Sequence, residues 1–416
     1  MLNYISQRTQ LIQSYYSGIG KSGVIFPAAF TVSVALGLVN LGLVFYVTER
    51  FEASATQVGW LAATWSLCYV IGCLLVRPRF DQVLPRYLTV GACFFLALFT
   101  VAIHTVPAPQ GLALVFPLVG AGGLALSFFW PPLMGWLSTN TEGAALGRLF
   151  SRYNVFWSTG MIISPFLAGW LSDIHVRLPM LLGSSLYLLT SVFLAGAALT
   201  LPRIRSDRQT GTANDENSDS GAQSTPLRFP AWLGLFASFF SMGVLVAVFP
   251  VAARSELDFS KSLIGFILLI RSLTNTVAFV GLGKADFWHF RCTPMVVGQL
   301  AGAVAMALLG VTQAPGVIML MAGLFGITMA LSYSNSVFHG VSGSMNRAGR
   351  MAIHESVLAL GLVTGSALGG MIYDMAGMTV LFLTCGMILA AVAFLQSMLC
   401  MLSRKKAYSI SEGTSE

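Results

Sequence analysis

The chain is short of charge. Of its 416 residues only 9% are Asp, Glu, Lys or Arg, against about a quarter in soluble domains. That leaves too little polar surface to cover a water-soluble globule, so lipid must be the solvent for most of the exterior. No G-x-x-x-x-G-K-[ST] loop occurs, and no hydrophilic domain is large enough to hold one, which argues against nucleotide-driven work. The six cysteines (Cys68, Cys73, Cys93, Cys292, Cys385, Cys400) are scattered in or beside apolar runs. None shows the spacing of a zinc or redox motif, and all six read as small apolar packers. The five histidines (His104, His175, His289, His339, His354) are dispersed too, without metal-ligand spacing. No metal or cofactor is expected.

What the sequence has in quantity is apolar length: 56% of it is hydrophobic. A bilayer core of about 30 Å needs roughly 20 such residues per helix. Spans fall near 25–48, 57–76, 87–107, 110–138, 149–172 and 178–201, then near 229–253, 262–283, 293–313, 316–340, 350–373 and 376–402. The 293–313 and 316–340 pair is separated by very few residues. The first run is too long for a signal-peptide core and is retained as a membrane helix. Between the two sets lies PRIRSDRQTGTANDENSDSGAQSTPLR (202–228), whose composition cannot bury a core and suits a flexible linker. The expectation is an all-α membrane protein of two six-helix halves, 1–201 and 229–416.

Orientation follows from the cations. With the N-terminus cytoplasmic, eighteen of the 23 lysines and arginines fall on the cytoplasmic side and four on the other, with Arg271 inside a span. Such a bias is what the positive-inside rule gives for an even number of spans. The formal charge of +7 is therefore a topology signal, and no nucleic-acid partner is implied. A multi-pass protein of the plasma (inner) membrane with both ends cytoplasmic is expected.

The halves repeat each other. ALSFFWPPLMG (Ala125 to Gly135) matches ALSYSNSVFHG (Ala330 to Gly340) at an offset of 205. GRLFSRYNVF from Gly147 matches GRMAIHESVL from Gly349 at 202, and Gly59 matches Gly265 at 206. Gly169 and Asp173 match Gly370 and Asp374. Three matches in register across the linker point to parallel duplication, an arrangement in which one half can rock against the other around a midplane site.

With these features the sequence resembles the major facilitator superfamily over nearly its whole length. The family's loop signature after the second helix is partly present in GCLLVRPRFDQVLPR from Gly72. It keeps the glycine and the basic residues Arg77, Arg79 and Arg86, but Val76 stands where an aspartate is expected. Its counterpart GLGKADFWHFR from Gly281 has Asp286 one position late. The charge-relay lock usually assigned to this motif therefore loses its acidic member in the first half. GMIISPFLAG from Gly160 loosely resembles the Gly-Pro motif of family antiporters, keeping Gly160, Pro165 and Gly169, and points to export. The resemblance implies a secondary active transporter of a small organic solute working by alternating access, with membrane lipid as its surroundings and no obligate protein partner.

Arg271 is the most unusual residue, mid-span in LLIRSLTN. A buried arginine there usually faces a water-filled cavity or a partner. It is read either as a bidentate donor to a substrate carboxylate or phosphate or as half of a structural ion pair, with Asn275 one turn away. Glu355, beside His354, is the acidic residue clearly within a span. It is a candidate proton-coupling carboxylate, counter-ion of Arg271, or gate. The working expectation is that Arg271 and Glu355 both face the central cavity. Trp130, Asn154 and Trp157 (with Tyr153), Tyr333 and Asn335 of the repeat, and Asn40 of the first span complete an apolar pocket with a few orienting polar groups. Arg77, Arg79, Arg148 and Arg350 are gating candidates. The GxxxGxxxG stripe Gly361, Gly365, Gly369 and its counterpart Gly160, Ser164, Ala168 suit close helix approach, at the seam between halves if the family resemblance holds. A membrane-embedded enzyme acting on lipids would need clustered His, Asp or Glu near one interface; a non-transporting binder of the same fold is the third reading.

Overall fold

The computed structural model of the chain describes residues 2–76, 85–138, 143–200, 225–342 and 347–413. These form thirteen helices: α1 (Leu2–Arg50), α2 (Ala55–Val76), α3 (Pro85–Ile103), α4 (Leu112–Ser127), α5 (Trp130–Ser138), α6 (Gly143–Ile174), α7 (Leu178–Thr200), α8 (Arg228–Ala247), α9 (Phe249–Ser255), α10 (Lys261–Leu282), α11 (Cys292–Val311), α12 (Pro315–Val341) and α13 (Arg347–Gly413). Helix is what lipid demands, since each backbone N–H and C=O must find its partner within the segment.

Thirteen helices make twelve crossings, because two spans are each built from two helices and one helix, α13, makes two spans. The fourth span breaks at Phe128–Phe129 between α4 and α5. Pro131 and Pro132 lack the N–H groups that would have bonded to the carbonyls four residues back. Pro250 divides α8 from α9 in the same way. In α13 the reverse occurs: Gly377 at φ 78° splits one run into two crossings. Such a φ suits glycine, and the second arm begins with Met378 N donating to Glu256 Oε1 at 2.9 Å. Residues 312–314 do separate α11 from α12, with Pro315 opening α12.

Two compact units result, one of residues 1–52 and 64–217, the other of 53–63 and 218–416. In the first unit α1 packs on α6 and α7, and α3 on α4, α5 and α7. Its core gathers Leu96, Phe129, Leu133 and Tyr187. In the second, α8 packs on α13 and α12, α10 on α12, and α11 on α12 and α13. The related glycine stripes have related tasks. A Cβ on Gly160 would meet Ser33 and the Phe30 carbonyl of α1; one on Gly361 or Gly365 would meet the Phe236 or Phe240 carbonyl of α8. The Gly361–Gly369 stripe packs on α8, where small residues let backbones close up.

The start of α2 belongs to the second unit. Asp374 on α13 accepts hydrogen bonds from Ala55 N at 3.1 Å and Thr56 N at 2.8 Å, so a carboxylate caps the positive end of that helix. Gly370 lies against the Ala55 carbonyl and Gly59 against that of Ser366.

Inside the second unit a buried amide ties three helices. Gln299 of α11 donates through Nε2 to Gly234 O at 2.9 Å. Its Oε1 accepts from Ser238 at 3.3 Å and Ser332 at 3.1 Å. Polar links of this kind hold helices together where no hydrophobic drive separates lipid from side chain.

Candidate transport site

In the second unit, α10 and α12 approach closely because Gly323 and Gly326 leave room for Thr274 and the Arg271 carbonyl. Thr274 Oγ1 donates to Gly323 O at 2.9 Å. This contact fixes Arg271 near mid-helix, 9% exposed. Its guanidinium Nη1 meets Met242 Sδ of α8 at 3.2 Å and Met329 Sδ of α12 at 3.8 Å; Nη2 reaches Ser272 Oγ at 2.7 Å. Nε is buried with no partner. Among the described residues no carboxylate pairs with it, so the expected alternative of a structural Arg271–Glu355 pair is not formed. Glu355 instead follows His354, which reaches α10 through Tyr333 at Phe279, eight residues or about 12 Å along that helix from Arg271.

From Arg271 a face of α10 runs through the half-buried Asn275 to Phe279, eight residues or about 12 Å along the helix. Phe279 meets Tyr333 of α12 edge-on at 5.5 Å, and Tyr333 meets His354 of α13 at 4.8 Å. His354 is fully buried, with Nδ1 at 2.7 Å from Ser336 Oγ and Nε2 unpartnered. Asn335 is also buried; Nδ2 donates to Leu331 O at 2.9 Å and Oδ1 has no partner. Ring contacts thus run from Phe279 of α10 through Tyr333 to the buried His354, with Arg271 and Asn275 further along the same helix. Glu355, next to His354, is exposed. Arg350 is half-buried, its guanidinium 5.9 Å from the Trp232 ring centre.

The first unit supplies a smaller grouping. Trp130 packs edge-on against Phe129 at 4.8 Å and Tyr153 at 6.4 Å. Tyr153, 5% exposed, is the residue of α6 that meets Trp130, while Asn154 and Trp157 are exposed. Asn40 is half-buried on α1, and Arg148 is exposed on α6. Arg77 and Arg79 lie outside the described residues.

Sequence reasoning missed Met242, Met329 and Phe279, whose side chains carry no polar signal, and the Gln299 network, which no short motif marks. It also missed a covalent link: Cys292 and Cys400 form a disulfide, against the reading of all six cysteines as packers. Their separation of 108 residues hides the pairing.

The model of the Major Facilitator Superfamily matches residues 25–338 and again 231–415. The chain belongs to this superfamily. Its two overlapping matches accord with the internal repeat. Among superfamily relatives, Multidrug resistance protein 1 of Bacillus subtilis is 22% identical over 82% of this chain and 87% of its own length. Multidrug resistance protein 2 of the same organism is also 22% identical, over 61% and 65%. The crystal structure of the nucleoside transporter NupG superposes with a TM-score of 0.75 at 13% identity, over 91% of this chain and 99% of that one. A bacterial homologue of the human lysosomal transporter Spinster gives 0.73 at 13%, over 94% and 98%. The protein is thus a multi-pass membrane transporter with the superfamily fold.

Proposed function

We propose that this transporter exports an amphipathic organic anion by proton-coupled alternating access, with Arg271 as the anchor of the anionic group. The observation that carries the reading is the guanidinium lodged between two thioethers and a hydroxyl. A buried charge without a counter-ion is costly in a membrane interior. A carboxylate or phosphate on the solute supplies the missing charge, and the planar fork suits bidentate contact. The body of the solute lies along Asn275, Phe279 and Tyr333, where aromatic edges accept apolar or ring-bearing groups.

Export is favoured by Gly160, Pro165 and Gly169 of α6 and by relatives named as multidrug resistance proteins. Glu355 serves as the proton-coupling carboxylate beside His354. We place the protein in the cell membrane with its lysine- and arginine-rich loops in the cytoplasm.

A thermal-shift screen of organic anions, neutral drugs and nucleosides on wild type and Arg271→Ala tests the anchor, followed by counterflow of the hits in liposomes. Anions should stabilise the wild type and lose that effect in the variant. Hits that stabilise both proteins equally would remove Arg271 from the site.

A further inference from the structure

Cys292 opens α11 and Cys400 sits near the end of α13, yet their Cα atoms are 6.3 Å apart and the sulfurs are joined. That separation lies in the range disulfides occupy. Lys284 and Arg291 precede the first cysteine, and Arg404, Lys405 and Lys406 follow the second. By the cation bias both belong to the cytoplasmic end of the second unit, in a compartment where thiols are held reduced. A bond-ready pair in that place is unlike a structural bridge of a secreted protein.

We propose that Cys292 and Cys400 form a reversible redox couple that staples α11 to the last helix when the cytoplasm becomes oxidising. Cys292 is half-buried and Cys400 buried, so exchange starts at Cys292. Its position at a helix N-terminus beside Arg291 favours the thiolate. The Cys292 thiolate attacks a low-molecular-weight disulfide of the glutathione class, releasing one thiolate and leaving a mixed disulfide. Cys400, as thiolate, then displaces the second thiol and closes the bridge. Two protein thiols are oxidised and one small disulfide is reduced to two thiols. Reduced glutathione in excess runs the exchange backwards. The staple closes a loop that includes α11, α12 and most of α13, the helices that carry Gln299, Met329, Tyr333 and His354. Cys68, Cys73, Cys93 and Cys385 remain thiols in both states.

The experiment uses the full chain in membranes, equilibrated across ratios of oxidised to reduced glutathione, then denatured and labelled with a maleimide of resolvable mass. Six additions are expected at the reducing end and four at the oxidising end, with a 292–400 cross-linked peptide by mass spectrometry. Cys292→Ser should label five times at every ratio, whereas Cys400→Ser should label five times at the reducing end and four at the oxidising end, its Cys292 then carrying a glutathione adduct. In intact cells the cross-link should be absent in unstressed growth, appear after diamide, and disappear during recovery. Six additions at every ratio, four at every ratio, a cross-link present in unstressed cells, or a bond formed only between two chains would each overturn the proposal.

Discussion

Arg271 Nη1 lies 3.2 Å from Met242 Sδ, a cation resting on a thioether where a carboxylate would be expected. Sulfur is polarizable but uncharged, so the contact softens the burial of the guanidinium without neutralising it.

Arg271→Met tests what that charge is for. The substitution keeps side-chain length and removes the charge, so the melting temperature should hold or rise. Flux of an anionic substrate into liposomes should fall about 10- to 100-fold, the equivalent of a charge-assisted bond of about 1.5–3 kcal/mol. Arg271→Lys keeps the charge but loses the fork, and should fall between. A large loss of stability with unchanged flux per folded molecule would assign Arg271 a structural task.

Glu355→Gln removes a titratable carboxyl while keeping its shape. Proton-driven uptake should be abolished while solute exchange at equal pH survives. The two rates are measured in the same proteoliposomes with and without a pH gradient. Unchanged proton dependence would exclude Glu355 as the coupling group.

Asp374→Ala uncaps α2 by removing the acceptor for Ala55 N and Thr56 N. A lost cap costs about 1 kcal/mol, so the melting temperature should drop by a few degrees. Amide exchange should quicken at residues 55–58 and not in α12. Asp374→Asn retains one acceptor and should lose less.

Gly365→Ala and Gly281→Ala are matched in chemistry and opposed in surroundings. A Cβ on Gly365 collides with the Phe240 carbonyl, whereas one on Gly281 meets nothing within 4 Å. Overpacking costs about 1–3 kcal/mol, so Gly365→Ala should lower folded yield by size-exclusion chromatography and Gly281→Ala should not. Equal yields would mean that α13 can stand further from α8.

His104, in the turn after α3, packs edge-on against Tyr46 at 4.9 Å, with both ring nitrogens buried and unpartnered. Burial first, and the nearby Arg177 charge second, hold its pKa below the ordinary histidine value. The unfolded chain therefore binds this proton more readily than the folded one. Its contribution is intact above the unfolded pKa and is lost as pH falls through the ordinary histidine range. Melting temperatures taken from about pH 7.5 to about pH 5.5, around the reference value of ~6.5, should decline, and His104→Gln should flatten the decline.

Hydropathy and prolines carried most of the architecture. Apolar length located the spans, and the break between α4 and α5 falls at the Pro131–Pro132 pair; both signals are local. Tertiary choices were less legible. Which of Tyr153, Asn154 and Trp157 packs on Trp130 is not resolved by apolar flanks on every side, and it is Tyr153. Met242 and Met329 look like any lipid-facing methionine until α8, α10 and α12 are brought together. Cys292 and Cys400 have no spacing that a motif could record. Arg271 announced itself, since a mid-span guanidinium is rare, but its lack of a carboxylate partner is a property of three helices and not of one.

Gly377 decides a matter of parity. As an unbroken rod, the 53-residue stretch Arg350–Leu402 would measure about 80 Å, more than twice the thickness of a bilayer core. The single left-handed residue folds this length into two passes, so the basic tail of Arg404, Lys405 and Lys406 returns to the compartment from which α13 sets out. A β-branched residue there would be strained at that φ, and the return pass would lose the turn that starts it.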